Sequence, residues 1–225
     1  MVRYLNTDLI FKNRADAGRQ LIVELLDLKL TNPVVIALPR GGVAVAKPIA
    51  DALHSDLDII VSKKIGAPNN PELAIGAVTS LGDYVVSSFS QEIFYETSSQ
   101  RESKWDYLQK QIVYLINDCR EREKKYKQGI RKDIECSYKD KDIILVDDGT
   151  ATGMTAMAAV KSVKKQEPKS ITLAIPVISS QAHEEISSLD VKIVTLKVPR
   201  DFVAVGVHYE DFSPVTDEEI KRLLE

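Results

Sequence analysis

At 225 residues, 44% of them apolar, the chain is long enough to bury one substantial core, so a single domain over 1–225 is expected. Its 30 basic and 33 acidic residues leave a formal net charge of −3, without the basic excess that grips nucleic-acid phosphates, so no nucleic-acid partner is expected. No apolar run approaches the roughly 18 residues of a membrane span, and Met1-Val-Arg-Tyr-Leu-Asn6 lacks the apolar stretch of a secretion signal. A cytoplasmic protein with no membrane partner is the expectation.

Apolar residues at three- and four-residue spacing predict a first helix over Asn13–Leu28. Val34–Leu38 is a continuous apolar run, the mark of a buried strand, and Val43–Leu53 returns to helical spacing before a second strand, Leu57–Val61. The alternation then breaks. Leu73–Val78 and Tyr84–Val86 flank a turn at Leu81-Gly82-Asp83 and predict a hairpin added to the sheet edge. Trp105, Leu108, Ile112, Leu115, Ile116 and Cys119 mark one face of a long helix that runs through the charge-dense Asp118–Lys127 and stops near Gly129. Residues 73–138 thus read as a hairpin and helical insertion: a lid, a dimer face, or a cover for the core with a solvated charged side. Cys119 and Cys136 have no second cysteine pair and no nearby histidine to complete a zinc site, so they read as free thiols.

The strand–helix rhythm resumes with Ile143–Val146, Thr155–Lys165, Ile171–Val177, Gln181–Leu189 and Val191–Leu196. Thr216 and Glu219 form a capping-box pattern ahead of a short final helix. Strands alternating with helices predict a doubly wound α/β fold: a mainly parallel five-stranded sheet with helices on both faces.

The chemistry is concentrated in Ile143-Ile-Leu-Val-Asp-Asp-Gly-Thr-Ala-Thr-Gly-Met-Thr155. A buried strand runs directly into two carboxylates and a loop of glycines and small residues, and a helix follows. Ligands of open α/β sheets sit at the carboxyl ends of strands, so a site is expected at this junction. Small residues let successive amides turn inward, and the helix start adds unpaired amides and partial positive charge, which together cradle a phosphate. The hydroxyls of Thr150, Thr152 and Thr155 can donate to its oxygens. Met154 stands where a Walker lysine would be, and the glycine spacing is not that of a dinucleotide fingerprint. A hydrolase using Asp147 as nucleophile is disfavoured, because the loop lacks an Asp-x-Asp arrangement.

Four apolar residues, two acidic ones, a short variable stretch, then Thr-Gly and a nearby threonine resemble the motif of type I phosphoribosyltransferases, which bind 5-phosphoribosyl 1-pyrophosphate (PRPP). The resemblance implies that Asp147 and Asp148 hold the ribose hydroxyls and that Gly149, Thr150, Ala151, Thr152, Gly153 and Thr155 form the 5-phosphate loop. Val34-Val-Ile-Ala-Leu-Pro-Arg-Gly-Gly42 ends a strand in a glycine turn with one arginine. In the family this place binds pyrophosphate through backbone amides, often beside a cis non-proline peptide, and here it falls on Arg40, Gly41 and Gly42. Ile59-Ile-Val-Ser-Lys-Lys-Ile-Gly-Ala-Pro68 resembles the basic segment of adenine phosphoribosyltransferases, which implies a contact of Lys63 or Lys64 with pyrophosphate, within one subunit or across a homodimer. The wider resemblance is to an uncharacterised bacterial and archaeal branch of the family. It runs from Asn13-Arg-Ala-Asp-Ala-Gly18 through Lys64-Ile-Gly-Ala-Pro-Asn-Asn-Pro-Glu-Leu-Ala-Ile-Gly76 to Phe202-Val-Ala-Val-Gly-Val-His-Tyr-Glu-Asp-Phe212, excluding most of Phe89–Tyr138.

The reaction so implied is displacement of pyrophosphate from ribose C1 by a nitrogen acceptor, a nucleobase or an amine. Arg40 and Lys64 are the expected catalytic groups, stabilising the departing charge. Mg2+ is the expected cofactor, held through PRPP oxygens with Asp147 and Asp148 as candidate ligands. Ala151 stands where hypoxanthine and guanine enzymes carry an additional aspartate, which makes a 6-oxopurine acceptor less expected. Phe202 is a candidate for stacking on the acceptor, although His208 replaces the aspartate that accompanies it in those enzymes. His54 and His183 read as surface residues. A PRPP- or nucleotide-sensing regulator of the same fold is the alternative. Arg40 and the lysine pair favour an enzyme, since a monophosphate sensor needs no pyrophosphate turn.

Overall fold

The computed structural model describes residues 10–68, 70–87, 98–128 and 137–225. The N-terminal hexapeptide, the expected helix stop near Gly129 and Cys136 lie outside the described residues. The elements run α1 (Arg14–Leu26), β1 (Pro33–Ala37), α2 (Gly41–Leu53), β2 (Asp56–Ile59), β3 (Ser62–Ala67), β4 (Asn70–Thr79), β5 (Tyr84–Val86) and α3 (Ser98–Lys127). Then follow β6 (Asp142–Val146), α4 (Met154–Lys164), β7 (Ser170–Ala174), α5 (Ser180–Ser187), β8 (Lys192–Val194), a 3-10 turn (Val205–His208) and α6 (Asp217–Leu224). Capping residues set the helix starts locally. Asn13 accepts the Asp16 amide at 2.9 Å, and Thr216 accepts the Glu219 amide at 3.1 Å.

Strands β2-β1-β6-β7-β8 form a five-stranded sheet in that order, and every pairing in it is parallel. Successive side chains of a strand face opposite sides, and here each side has its own core. Val35, Ala37, Ile144, Val146 and Ala174 pack with Leu21 of α1, Ile49 of α2 and Leu108 of α3. Val34, Ile36, Ile143, Leu145 and Leu173 pack with Ala159 and Val163 of α4 and Ile186 of α5. Helices therefore cover both faces, and the apolar run expected of a doubly buried strand is explained.

The hairpin is not an extension of this sheet. β3, β4 and β5 form a separate three-stranded antiparallel sheet, joined to β2 through Ile60 and Val61. Its apolar residues find cover elsewhere: Ala77 packs against Met154 and Ala158 of α4, and the Thr79 and Ser162 hydroxyls lie 2.7 Å apart. Burial against a helix satisfies the buried face of β4, which needs no place at the edge of the parallel sheet. The long helix is present, and Leu108, Ile112 and Cys119 are buried as its spacing predicts. Trp105 is not part of that face; it stays 55% exposed, ahead of Tyr107, whose hydroxyl donates to the Gly66 carbonyl of β3. Among the described residues no helix is long and apolar enough to cross a membrane.

Candidate active site

From β1 the chain moves outward to β2, and from β6 it moves the other way to β7 and β8, so β1 and β6 flank the topological switch point. Their last shared contact is the Leu38 amide donating to the Val146 carbonyl at 2.8 Å. Beyond it the two chains part and face each other. The β1 side carries a cis Pro39–Arg40 peptide and then the start of α2 at Gly41. A side chain at Gly41 would put its Cβ 1.8 Å from Asp148 Oδ2, and one at Gly42 would put it 2.7 Å from the Val146 carbonyl. The glycines are therefore what allows the carboxylates to sit against the first turn of α2.

The loop after β6 is held in shape by its own hydrogen bonds, among them the Thr150 amide to the Val177 carbonyl at 3.1 Å. Gly153 takes a left-handed φ of 69°, which glycine adopts without a Cβ clash, and its amide donates to Thr150 Oγ1 at 2.9 Å. Ser179, absent from the sequence reading, donates from its hydroxyl to the Ala151 carbonyl at 2.6 Å and holds the loop from outside. Gly149 is required by crowding, since a Cβ there would lie 2.4 Å from Val205 Cγ1. Ala151 is exposed, and Thr155 lies half-buried in the first turn of α4, whose N-terminus no side chain caps. Thr152 Oγ1 is buried without a hydrogen-bond partner among the described residues. An orphaned hydroxyl beside an uncapped helix start suits a phosphate.

Asp147 and Asp148 are raised above the ordinary carboxylate range. For Asp147 burial is the main cause and the neighbouring Asp148 charge the next, with Lys64 opposing. For Asp148 burial is again first, offset by the Arg14 guanidinium, whose Nε lies 2.7 Å from its Oδ2. The pair is thus short of compensating positive charge, and it suits hydroxyl donors or a divalent ion. Among the described residues no three His, Cys, Asp or Glu side chains gather around a metal position. Two carboxylates fit Mg2+ that takes its other ligands from substrate oxygens and water.

Arg14 was not singled out by sequence reasoning. It also donates to the Ser213 carbonyl at 2.8 Å and lies 3.7 Å from the Phe212 ring centroid, while the Tyr209 hydroxyl donates to the Asp148 carbonyl at 2.5 Å. The C-terminal segment and α1 therefore hold Asp148 together. The available signal was an arginine directly after the helix cap Asn13, where the helix dipole disfavours a cation unless something else uses it.

The structure separates the remaining candidates. Lys63 and Lys64 lie on β3 rather than on a loop, and adjacent strand residues face opposite ways. Lys63 pairs with Asp118 of α3 at 2.6 Å and holds that carboxyl below its ordinary range, whereas Lys64 is exposed and acts on Asp147. Arg40 is exposed at the cap of α2, and its charge is felt by Tyr126 and Asp217. Phe202 is half-buried against the larger core, its ring centroid 5.8 Å from that of His208. Cys119 is a buried thiol pushed up to about 11 by burial, inert at neutral pH.

Comparison with known proteins agrees with this geometry. A Thermus thermophilus protein, TT1426, is 37% identical and superposes with a TM-score of 0.78 over 96% of this chain and 98% of its own. A Neisseria gonorrhoeae protein solved with bound ppGpp, 11% identical over 96% of this chain and 94% of its own, shares the fold alone at a TM-score of 0.53. A Mycobacterium tuberculosis protein provisionally named a phosphoribosyl transferase is 32% identical over 216 residues, 96% of this chain and 46% of the relative, so the chain spans about half its length. A family model for the phosphoribosyl transferase domain matches residues 6–211. So long a match takes in both sides of the switch point and leaves little outside it: the chain belongs to the phosphoribosyl transferase family.

Proposed function

We propose that the chain transfers the 5-phosphoribosyl group of PRPP to a nitrogen acceptor. The observation that carries this reading is the desolvated Asp147–Asp148 pair standing between two glycine-bearing turns, Gly41–Gly42 and Gly149–Thr155, the second leading into a helix start that no side chain caps. That order of turn, carboxylate pair and turn is the order in which PRPP presents pyrophosphate, ribose hydroxyls and 5-phosphate. The acceptor nitrogen forms a bond to C1 as the C1–O bond breaks, and pyrophosphate leaves with the electron pair. The carboxylates orient the ribose through its hydroxyls, and the Gly41 amide with Lys64 and Arg40 stabilises the negative charge that grows on the leaving group, while the Gly42 amide is held by the Leu38 carbonyl at 3.1 Å. Mg2+, when bound with PRPP near Asp147 and Asp148, adds charge neutralisation at the phosphates. Arg14 holds Asp148 in position and does not touch the reacting atoms.

Thermal unfolding with PRPP and Mg2+ tests the reading. A ligand at a hundred times its Kd stabilises by about 2.7 kcal/mol, a shift of several degrees. No shift at millimolar PRPP would refute it. A screen for pyrophosphate release with nucleobases and small amines then separates an enzyme from a sensor, since binding without release by any acceptor leaves only sensing.

A further inference from the structure

The residue that shapes the motif loop lies outside the motif. Ser179, the cap of α5, is only 7% exposed, and both its backbone and its hydroxyl are turned to the loop. Its amide donates to the Thr150 carbonyl at 3.0 Å. Its hydroxyl accepts the Ala182 amide at 3.0 Å and donates its own proton to the Ala151 carbonyl at 2.6 Å. Two consecutive loop carbonyls are thus held on the Ser179 side. α5 also backs the loop by packing, since a Cβ on Gly153 would lie 3.1 Å from Ile186 Cδ1 and 3.4 Å from the Ala182 Cβ.

Holding a carbonyl fixes more than the carbonyl. A peptide unit is planar, and in the trans form its N–H points opposite to its C=O. Neither peptide here is cis. With the Thr150 carbonyl turned to Ser179, the Ala151 amide is turned away from it; with the Ala151 carbonyl turned the same way, so is the Thr152 amide. The neighbouring amides are committed, that of Thr150 to the Val177 carbonyl and that of Gly153 to Thr150 Oγ1. Among the described residues the Ala151 and Thr152 amides have no hydrogen-bond partner. Thr150 bridges Ile178, just past β7, so Ser179 stands on the β7 side of the loop. The other side is the one on which β1 and the switch point lie.

We propose that Ser179 is a positioning residue for the 5-phosphate: it aims the Ala151 and Thr152 amides at that group and holds them there before the ligand arrives. Ser179 stays behind the loop and touches no substrate atom. Amides already fixed in direction need no ordering when they bond an anion, which preserves the strength of a charge-assisted hydrogen bond. The identity of the anion as a 5-phosphate rests on the transferase reading.

Backbone amide NMR on the full chain tests this, with ribose 5-phosphate and pyrophosphate as separate probes. In the native protein ribose 5-phosphate is expected to move the Ala151 and Thr152 amide signals downfield, the mark of a new hydrogen bond to an anion. Ser179→Ala is expected to remove most of that shift, weaken ribose 5-phosphate about tenfold and leave pyrophosphate binding unchanged. Ser179→Ala also uncaps α5, so Ser179→Gly is the second variant. Glycine caps a helix nearly as well as serine but has no hydroxyl to hold the Ala151 carbonyl. Its binding loss is expected to match that of the alanine variant, with a smaller loss of stability in urea. Ser180→Ala, at the exposed neighbouring serine, is expected to change nothing.

Undiminished ribose 5-phosphate binding by both Ser179 variants would overturn the proposal, as would native Ala151 and Thr152 shifts in them. A loss that follows stability, larger for alanine than for glycine, and that extends to pyrophosphate would also overturn it, because Ser179 would then support the fold alone. If PRPP binds the native protein and both variants equally, the role of Ser179 falls while the transferase reading stands. If neither PRPP nor ribose 5-phosphate binds the native protein, the transferase reading falls and takes this proposal with it.

Discussion

Strand β6 carries a carboxylate at each end, and the two ends are treated in opposite ways. Asp142, at the start, accepts the Thr31 amide at 3.0 Å, the Thr31 hydroxyl at 3.1 Å and the Ser170 hydroxyl at 2.7 Å, with Lys169 at 3.3 Å. Burial pushes it up, but these hydrogen bonds outweigh burial and hold it well below the ordinary range. Asp147, past the other end, has the Asp148 amide at 2.9 Å and little else to offset burial and its neighbour's charge. One strand thus has an end that is fully satisfied and an end left short of partners. The first ties β1, β6 and β7 together; the second is available to a ligand.

The pH dependence separates them. A depressed carboxylate contributes stability above its unfolded value of about 4, and that contribution is lost as pH falls through the folded value, so Asp142 governs the acid limb. A raised carboxylate does the reverse. As pH rises above about 4 toward its folded value, Asp147 must ionise in a half-buried place beside a second carboxylate, and stability declines.

The largest expected effect is at the satisfied end. Asp142→Ala removes a buried carboxylate together with the part-buried hydrogen bonds that hold the starts of β1, β6 and β7, and is expected to cost about 2–3 kcal/mol at pH 7 in urea unfolding, with a flattened acid limb. A loss below about 1 kcal/mol would erase the contrast. Arg14→Ala comes next. It leaves Asp148 buried without its ion partner and removes the contact with Phe212, for a loss of about 2–3 kcal/mol and a further rise of the Asp148 carboxyl. Calorimetric titration should show PRPP binding weakened about tenfold, because the carboxylate is no longer held against Gly41.

Asp147→Asn should run the other way. Removing a charge that the fold disfavours is expected to stabilise the ligand-free protein by about 1–2 kcal/mol at pH 7, flatten its decline above pH ~4, and abolish stabilisation by PRPP. A destabilised variant would mean that Asp147 is satisfied after all. The smallest effect belongs to Thr152→Val. Replacing an orphaned buried hydroxyl with a methyl group should raise ligand-free stability by about 0.5–1 kcal/mol. A phosphate bound equally before and after bond cleavage contributes to binding alone, so KM for PRPP should rise about tenfold with kcat unchanged.

Much of the site was legible in the chain itself. Ile143–Val146 could be read as a buried parallel strand because both its faces are covered and no polar residue interrupts it. The loop from Asp147 to Thr155 follows from local chemistry, glycine for the left-handed turn at 153 and a threonine at 150 whose hydroxyl accepts the Gly153 amide. The caps at Asn13 and Thr216 are equally local. These features depend on residues within a few positions of one another.

Features that depend on distant partners were settled only by folding. Period-two alternation shows that Lys63 and Lys64 face opposite ways, but packing against α3 selects which one meets Asp118 and which is left to act on Asp147. The hairpin's strands carry no mark of the sheet they will join, since burial against α4 and an edge of the parallel sheet satisfy the same apolar pattern. Arg14 finds Asp148 across 134 residues, and Ser179 meets the Ala151 carbonyl only when α5 folds back beside the motif loop. The motif loop and the order of strands and helices are written in the chain, because they follow from short-range sterics and hydrogen bonding. Which carboxylates end up buried and short of partners is a property of the assembled fold, because desolvation belongs to a place in the structure and not to a residue.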